Sequence, residues 1–231
     1  MFVSLWSVKG GVGTTVSAAS LALVLAQSSP EGVLLVDVAG DVPAVLGLPE
    51  PGGPGLAAWL GAGPTVAADA LARLEVPVVD RLRLLPLGDT GPACTTAAPS
   101  PDRAEVLADL LALERRPVVV DCGLIARRTP RAPADDAVAI TLAGAATHSW
   151  LVTRACYLAL RRAVSAPLAP SGFVLVREGG RSLQARDLEA VLGVPMVADV
   201  PWDPSVARAV DAGLLAGRLP RGLASAVRRA A

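Results

Sequence analysis

Lysine is nearly missing from this sequence. Of its 21 basic residues one, Lys9, is lysine and the others are arginine. Arginine therefore serves wherever a generic cation suffices, which singles out position 9 as one that needs a compact, flexible ammonium rather than a planar fork. Aromatic residues are scarce too, at 3% against 52% hydrophobic residues. A core of that composition is built from Ala, Val and Leu, which favours helices packed closely on a sheet. Cysteine is limited to Cys94, Cys122 and Cys156, an odd number without metal-ligand spacing or a disulfide framework, so reduced thiols are expected. The 21 acidic residues cancel the 21 basic ones, which excludes a global electrostatic attraction to nucleic acid or membrane and leaves only local patches. The chain starts without the basic region and long apolar stretch of a secretory signal, so a cytoplasmic location is expected. No uncharged stretch has the composition of a membrane-spanning helix; the longest candidate, 137–152, contains Gly144, Thr147 and His148 and reads as a buried strand followed by a helix.

At 231 residues the chain suits a single α/β domain over 1–231. Short apolar runs at 2–8, 33–36, 82–86, 118–120, 137–142, 172–176 and 196–200 predict seven strands. Helical patterns at 14–28, 102–114, 147–163, 182–192 and 204–212 separate most of them, with caps expected at Thr14, Asp102, Thr147, Ser182 and Asp203. This alternation predicts a doubly wound, mostly parallel seven-stranded sheet with helices on both faces. The Gly- and Pro-rich segment 49–64 reads as a surface loop around a short helix, and 88–101, with Cys94, as a mobile loop. No internal repeat and no second domain is visible.

The strand ending at Val8 runs into Lys9-Gly10-Gly11-Val12-Gly13-Thr14-Thr15 and then into a helical pattern. A strand, a glycine-rich turn and a helix N-terminus gather backbone N–H groups around a concave site, a ready cradle for phosphate. In the ordinary phosphate loop the last glycine precedes Lys and then Ser or Thr, the lysine reaching the terminal phosphates and the hydroxyl binding magnesium. Here Thr15 keeps the hydroxyl, and Thr14 stands in the lysine's place.

This stretch resembles the deviant Walker A motif of the ParA/MinD family of P-loop ATPases. The resemblance implies ATP with Mg2+ as cofactors and a homodimer around the nucleotide, in which Lys9 reaches the phosphates of the partner subunit. Gly10, Gly11, Val12, Gly13 and Thr14 would line the nucleotide. Val33 to Asp37 is similar to the strand leading into switch I, which makes Asp37 a candidate catalytic residue of the switch beside Lys9 and Asp41. The run Val118-Val119-Val120-Asp121-Cys122-Gly123 is similar to the Walker B strand and the start of switch II, which implies that Thr15 and Asp121 organise magnesium and that Gly123 senses the γ-phosphate. Val200-Pro201-Trp202-Asp203-Pro204 resembles the loop that packs against adenine, which places Pro201 and Asp203 near the base. The segment from Gly40 to Leu48 resembles the divergent members linked to pilus assembly and septum-site placement more than the plasmid-partition type.

Departures from the pattern bear on turnover. After Asp37 the family usually has a second aspartate that positions the attacking water; here Ala39 stands there. Asp41 then has two readings, a substitute for that carboxylate or a helix N-cap before Val42-Pro43-Ala44. Val176-Arg177 replaces an asparagine that reads adenine. A charge-assisted hydrogen bond is worth roughly 1.5–3 kcal/mol, so loss of the lysine at position 14 would weaken nucleotide binding by roughly 10- to 150-fold. Hydrolysis depends on positioning and charge stabilisation, and is expected to be weak or slow. The alternative is a pseudo-ATPase scaffold or interaction protein that has lost hydrolysis, with or without loss of nucleotide binding.

Other residues are read more plainly. His148, the only histidine, sits beside Thr147 and Ser149 without any acyl-transfer motif and is expected to cap or lie on the surface. Cys122 reads as a small buried residue beside Asp121 rather than a redox switch. The pairs Arg115-Arg116, Arg127-Arg128, Arg161-Arg162 and Arg228-Arg229 read as solvated faces, with nonspecific DNA as the competing reading. The tail 219–231 is faintly similar to a membrane-targeting helix, interrupted by Pro220. An unidentified protein partner is expected.

Overall fold

The computed structural model describes residues 1–63, 66, 68–89, 101–125 and 136–230; the expected loop carrying Cys94 and the Arg127-Arg128 pair lie outside the described residues. Eight strands form one sheet: β1 (Phe2–Ser7), β2 (Val33–Asp37), β3 (Val76–Val79), β4 (Leu82–Leu85), β5 (Val118–Leu124), β6 (His148–Thr153), β7 (Gly172–Arg177) and β8 (Met196–Pro201). Their order is β3-β4-β2-β5-β1-β6-β7-β8. Every neighbouring pair is parallel except β3 and β4. The helices are α1 (Thr14–Ser28), α2 (Val42–Leu46), α3 (Leu56–Gly61), α4 (Pro101–Ala112), α5 (Asp136–Ala145), α6 (Tyr157–Val164), α7 (Ala185–Leu192), α8 (Pro204–Asp211) and α9 (Arg221–Arg228).

The doubly wound α/β expectation is met, with three corrections. One unexpected strand is β3, which pairs antiparallel with β4 through the turn at Asp80 and Arg81. Pro77 lacks a backbone donor, so the run 76–79 suits only a sheet edge, where it lies. The expected strand 137–142 is helix α5: Val138, Ala139, Leu142 and Ala143 are buried on one side, a spacing that fits one helical stripe. The expected helix 147–163 divides into strand β6 and helix α6, so Thr147 caps nothing and His148 is the exposed first residue of a strand.

Alternation along the strands sends neighbouring side chains to opposite faces. Phe2 and Trp6 of β1, with Val118 and Val120 of β5, face α4 and α5, whereas Val3, Leu5 and Val119 face α1 and α9. Both faces of the sheet are therefore buried, which explains strands that read as continuous apolar runs. Trp6 is wholly buried, and its indole Nε1 donates to Ser149 Oγ at 3.0 Å, which satisfies the one polar atom that a buried tryptophan brings.

Helix ends are set locally. Asp203 caps α8 by accepting from the Ser205 N–H at 2.7 Å, as the sequence implied. Gln184 rather than Ser182 starts α7, with its N–H donating to Asp187 at 2.7 Å. Pro220 is the N-cap of α9 rather than an interruption, and Leu223, Ala226 and Val227 of that helix are buried. The segment just after α2 meets the turn after α8 backbone to backbone: a Cβ on Gly47 would stand 2.1 Å from the Gly213 carbonyl oxygen.

Candidate functional site

The C-terminal ends of the parallel strands converge where the strand order reverses around β1, the place at which open α/β sheets bind ligands. The loop between β1 and α1 lies there. Gly13 is the N-cap of α1 with φ 95°, and Gly11 has φ 71°, backbone conformations that a side chain would strain, and α1 opens without a capping side chain. The first amides of α1 thus stay available to an anion. They border a cavity of about 620 Å³.

Gly10, Gly11, Gly13, Thr14, Thr15, Asp41 and Gly123 all line this cavity. Thr14 begins the helix instead of capping it, and its buried side chain brings no charge. Lys9 is half-buried and does not line this cavity. Its charge falls on Glu178, which is held below the usual carboxylate range chiefly by a hydrogen bond from Arg181, with smaller contributions from the Arg154 and Lys9 charges.

Asp37 and Asp121 end up side by side, as register partners on β2 and β5. Both are fully inaccessible to solvent. Asp37 accepts from Gly40 N–H at 2.7 Å and Val42 N–H at 3.2 Å. It is therefore Asp37 that ties down the start of α2, whereas Asp41 occupies the N-cap position with no capping hydrogen bond from its side chain and faces the cavity. Burial raises Asp37 to about 6 against the lowering effect of those amides. Asp121 is raised to about 7, first by burial and then by Asp37, with the Thr15 hydroxyl opposing.

Gly123 N–H donates to Asp121 Oδ1 at 3.1 Å, and the Gly123 carbonyl accepts from Ser7 Oγ at 3.3 Å. Asp121 Oδ2 is buried with no partner. An orphaned carboxylate oxygen beside a threonine hydroxyl is the donor set that a hard cation takes, with water and phosphate completing its shell. Thr15 and Asp121 therefore fit a magnesium ion. Cys122 is buried and its thiol is pushed up by burial, which makes it inert.

A second cavity, about 340 Å³, shares Gly11, Gly13, Val16 and Val210 with the first. Val12, Val176, Pro201, Asp203 and the half-exposed Trp202 line it. The two spaces are continuous in their walls, the first bounded by the glycine loop and the second more apolar. That division suits a phosphorylated base. Arg154, which the sequence reading missed, also lines the second cavity. Its position at the end of a strand was hidden because 147–163 reads as one helix.

A model of the CobQ/CobB/MinD/ParA nucleotide binding domain matches residues 3–216. Similar solved structures include the septum-site determining protein MinD of Pyrococcus horikoshii OT3 complexed with Mg-ADP, 22% identical with TM-score 0.76 over 99% of this chain and 93% of that one. A ParA family ATPase from Chlorobium tepidum TLS is 21% identical, with TM-score 0.74 over 97% of this chain and 96% of that one. An ATP complex of a McdA variant from Cyanothece is 18% identical, with TM-score 0.67 over 99% of this chain and 94% of that one. No curated protein matches. With the family model spanning nearly the whole chain, and the glycine loop, the paired aspartates and the two-part cavity in place, the protein belongs to the CobQ/CobB/MinD/ParA nucleotide-binding domain family.

Proposed function

We propose that the chain is a single nucleotide-binding domain that takes ATP with Mg2+, dimerises around it, and acts as a positioning or partner-recruitment switch with slow hydrolysis. The observation that carries this reading is the unpartnered Asp121 Oδ2, buried beside Thr15 at the foot of the glycine loop. In this reading the amides of Gly10 to Gly13 hold the phosphates, Thr15 and Asp121 hold magnesium, and Pro201 and Asp203 flank the base. Bound magnesium would neutralise charge on the phosphates. Asp41 is the one carboxylate among the described residues lining the phosphate cavity, and it orients the attacking water. Asp37 acts indirectly, through the turn that presents Asp41. Thr14 offers no cation, which limits both affinity and turnover.

Lys9 lies outside its own cavity, a placement that favours a contact with the phosphates of a second copy. The test is titration of ATP with Mg2+, followed by phosphate release and light scattering. Saturable binding with ATP-dependent doubling of mass, lost in Lys9→Ala, is expected; no saturable binding sinks the reading. A pseudo-ATPase scaffold is the second reading, favoured by Thr14, Ala39 and Val176 at the cavity walls; binding without phosphate release would support it. Partner surfaces other than protein have weaker support. The apolar side of α9 is buried, and no helix among the described residues is long and apolar enough to cross a membrane. Arg116 is occupied by Glu75 and Glu114, which weakens a DNA reading there.

A further inference from the structure

Arg154 follows β6 directly and reaches across the strand ends to the glycine loop. Its Nη2 donates to the Gly11 carbonyl oxygen at 2.6 Å, and its Nη1 donates to Glu178 Oε1. Glu178 follows β7, and its second oxygen accepts from Arg181 Nε at 2.9 Å. The side chains of Arg154 and Glu178 are 25% and 20% exposed, so solvent screens this ion pair less than it would a free surface pair. A chain of contacts thus runs Arg181, Glu178, Arg154, Gly11, from the segment after β7 to the phosphate loop. In a loop whose amides face an anion, a carbonyl that accepts a charged donor is fixed in direction, and the amides beside it are fixed with it.

We propose that Arg154, oriented by Glu178, is a positioning residue of the nucleotide site, acting through the Gly11 backbone to hold the glycine loop in its anion-binding form. The inference rests on the nucleotide reading above. Two further observations agree with it. Arg154 also borders the base-side cavity, while the Gly11 that it holds lines both cavities. Its Nε is buried without a partner, so the polar contacts of this side chain run through its terminal nitrogens to Gly11 and Glu178. In a chain with Thr14 at the lysine position, a loop held from outside compensates by preorganisation for the charge it lacks within.

The experiment measures Mg2+-ADP affinity by calorimetry and the phosphorus NMR shift of the bound β-phosphate in wild type, Arg154→Ala, Arg154→Lys and Glu178→Gln, alongside thermal unfolding. Loss of one charge-assisted hydrogen bond predicts roughly a tenfold or greater loss of affinity in Arg154→Ala. Arg154→Lys should recover part of it, because a lysine reaches one acceptor and not two, and the β-phosphate shift should follow the same order. Glu178→Gln, which leaves the loop contact but loosens the guanidinium, should weaken binding in the same direction by less. Failure of wild type to bind would remove the nucleotide reading itself. Wild-type binding with unchanged affinity and unchanged phosphorus shift in Arg154→Ala would overturn this proposal alone; should that variant not fold, unchanged affinity in Glu178→Gln overturns it.

Discussion

Asp37 and Asp121 face each other across neighbouring parallel strands, both without solvent contact, and the charge of Asp37 adds to the proton affinity that burial gives Asp121. Their folded values, about 6 and about 7, exceed the ordinary 3.8. The folded chain then binds protons more tightly than the unfolded one. Stabilisation from these groups is complete below the unfolded value and is lost as pH rises through the folded ones. The nucleotide-free protein should accordingly melt several degrees lower at about pH 8 than at about pH 5, at roughly 2–4 °C per kcal/mol, and Asp121→Asn should flatten the slope. Mg2+ needs ionised Asp121, so its protection should grow above about pH 7. Calorimetric melting across that range checks both; a melting temperature that climbs with pH and is unaffected by Asp121→Asn contradicts the assignment.

Thr14 opens α1 and lines the cavity at the glycine loop. Thr14→Lys should therefore restore a cation in cis and tighten ATP binding by roughly 10- to 150-fold. Fluorescent-nucleotide titration would show it, and an unchanged dissociation constant would mean that the loop does not hold phosphate in the way described.

Gly123 has φ 60°, and a Cβ built on it meets the Ala39 methyl at 2.7 Å. Gly123→Ala should cost roughly 1–3 kcal/mol from strain and overlap together. Adding Ala39→Gly removes the overlap but not the backbone strain, so the double variant should recover only part of the loss. Full recovery, read by denaturant unfolding, would show that the backbone contributes nothing.

Ser149→Ala leaves the Trp6 indole N–H buried without an acceptor. A loss of roughly 1–3 kcal/mol is expected, measured by denaturant titration with tryptophan fluorescence. A change within about 0.5 kcal/mol, the usual range for surface substitutions, would mean that this hydrogen bond is not formed.

The strand-loop-helix at residues 2–28 and the Walker B-like strand were legible because their signals are local: an apolar run, glycines in a row, then a helical pattern. The region 136–164 was not. Val138, Ala139, Leu142 and Ala143 fit a strand as easily as a helical stripe when only 10 residues are available, and the assignment is made by packing on α4 and β5, which no short window contains. Trp150, Leu151 and Val152 form a strand because β1 and β7 flank them. The strand β3 was obscured by Pro77, acceptable only at an edge that the sequence does not mark. The same misreading of 147–163 concealed Arg154, whose reach to Gly11 spans 143 positions. Asp37 and Asp41 were both visible, but their division of labour depends on which carboxylate points at the Gly40 and Val42 amides.

The glycine contact between the segment after α2 and the turn after α8 has a mechanical consequence. With 2.1 Å between a would-be Cβ of Gly47 and the Gly213 oxygen, a side chain at position 47 would force the two backbones apart. Val210, just before that turn, forms part of the wall of both cavities. Any residue larger than glycine at position 47 would therefore shift the segment that carries Val210 and reshape both chambers at once.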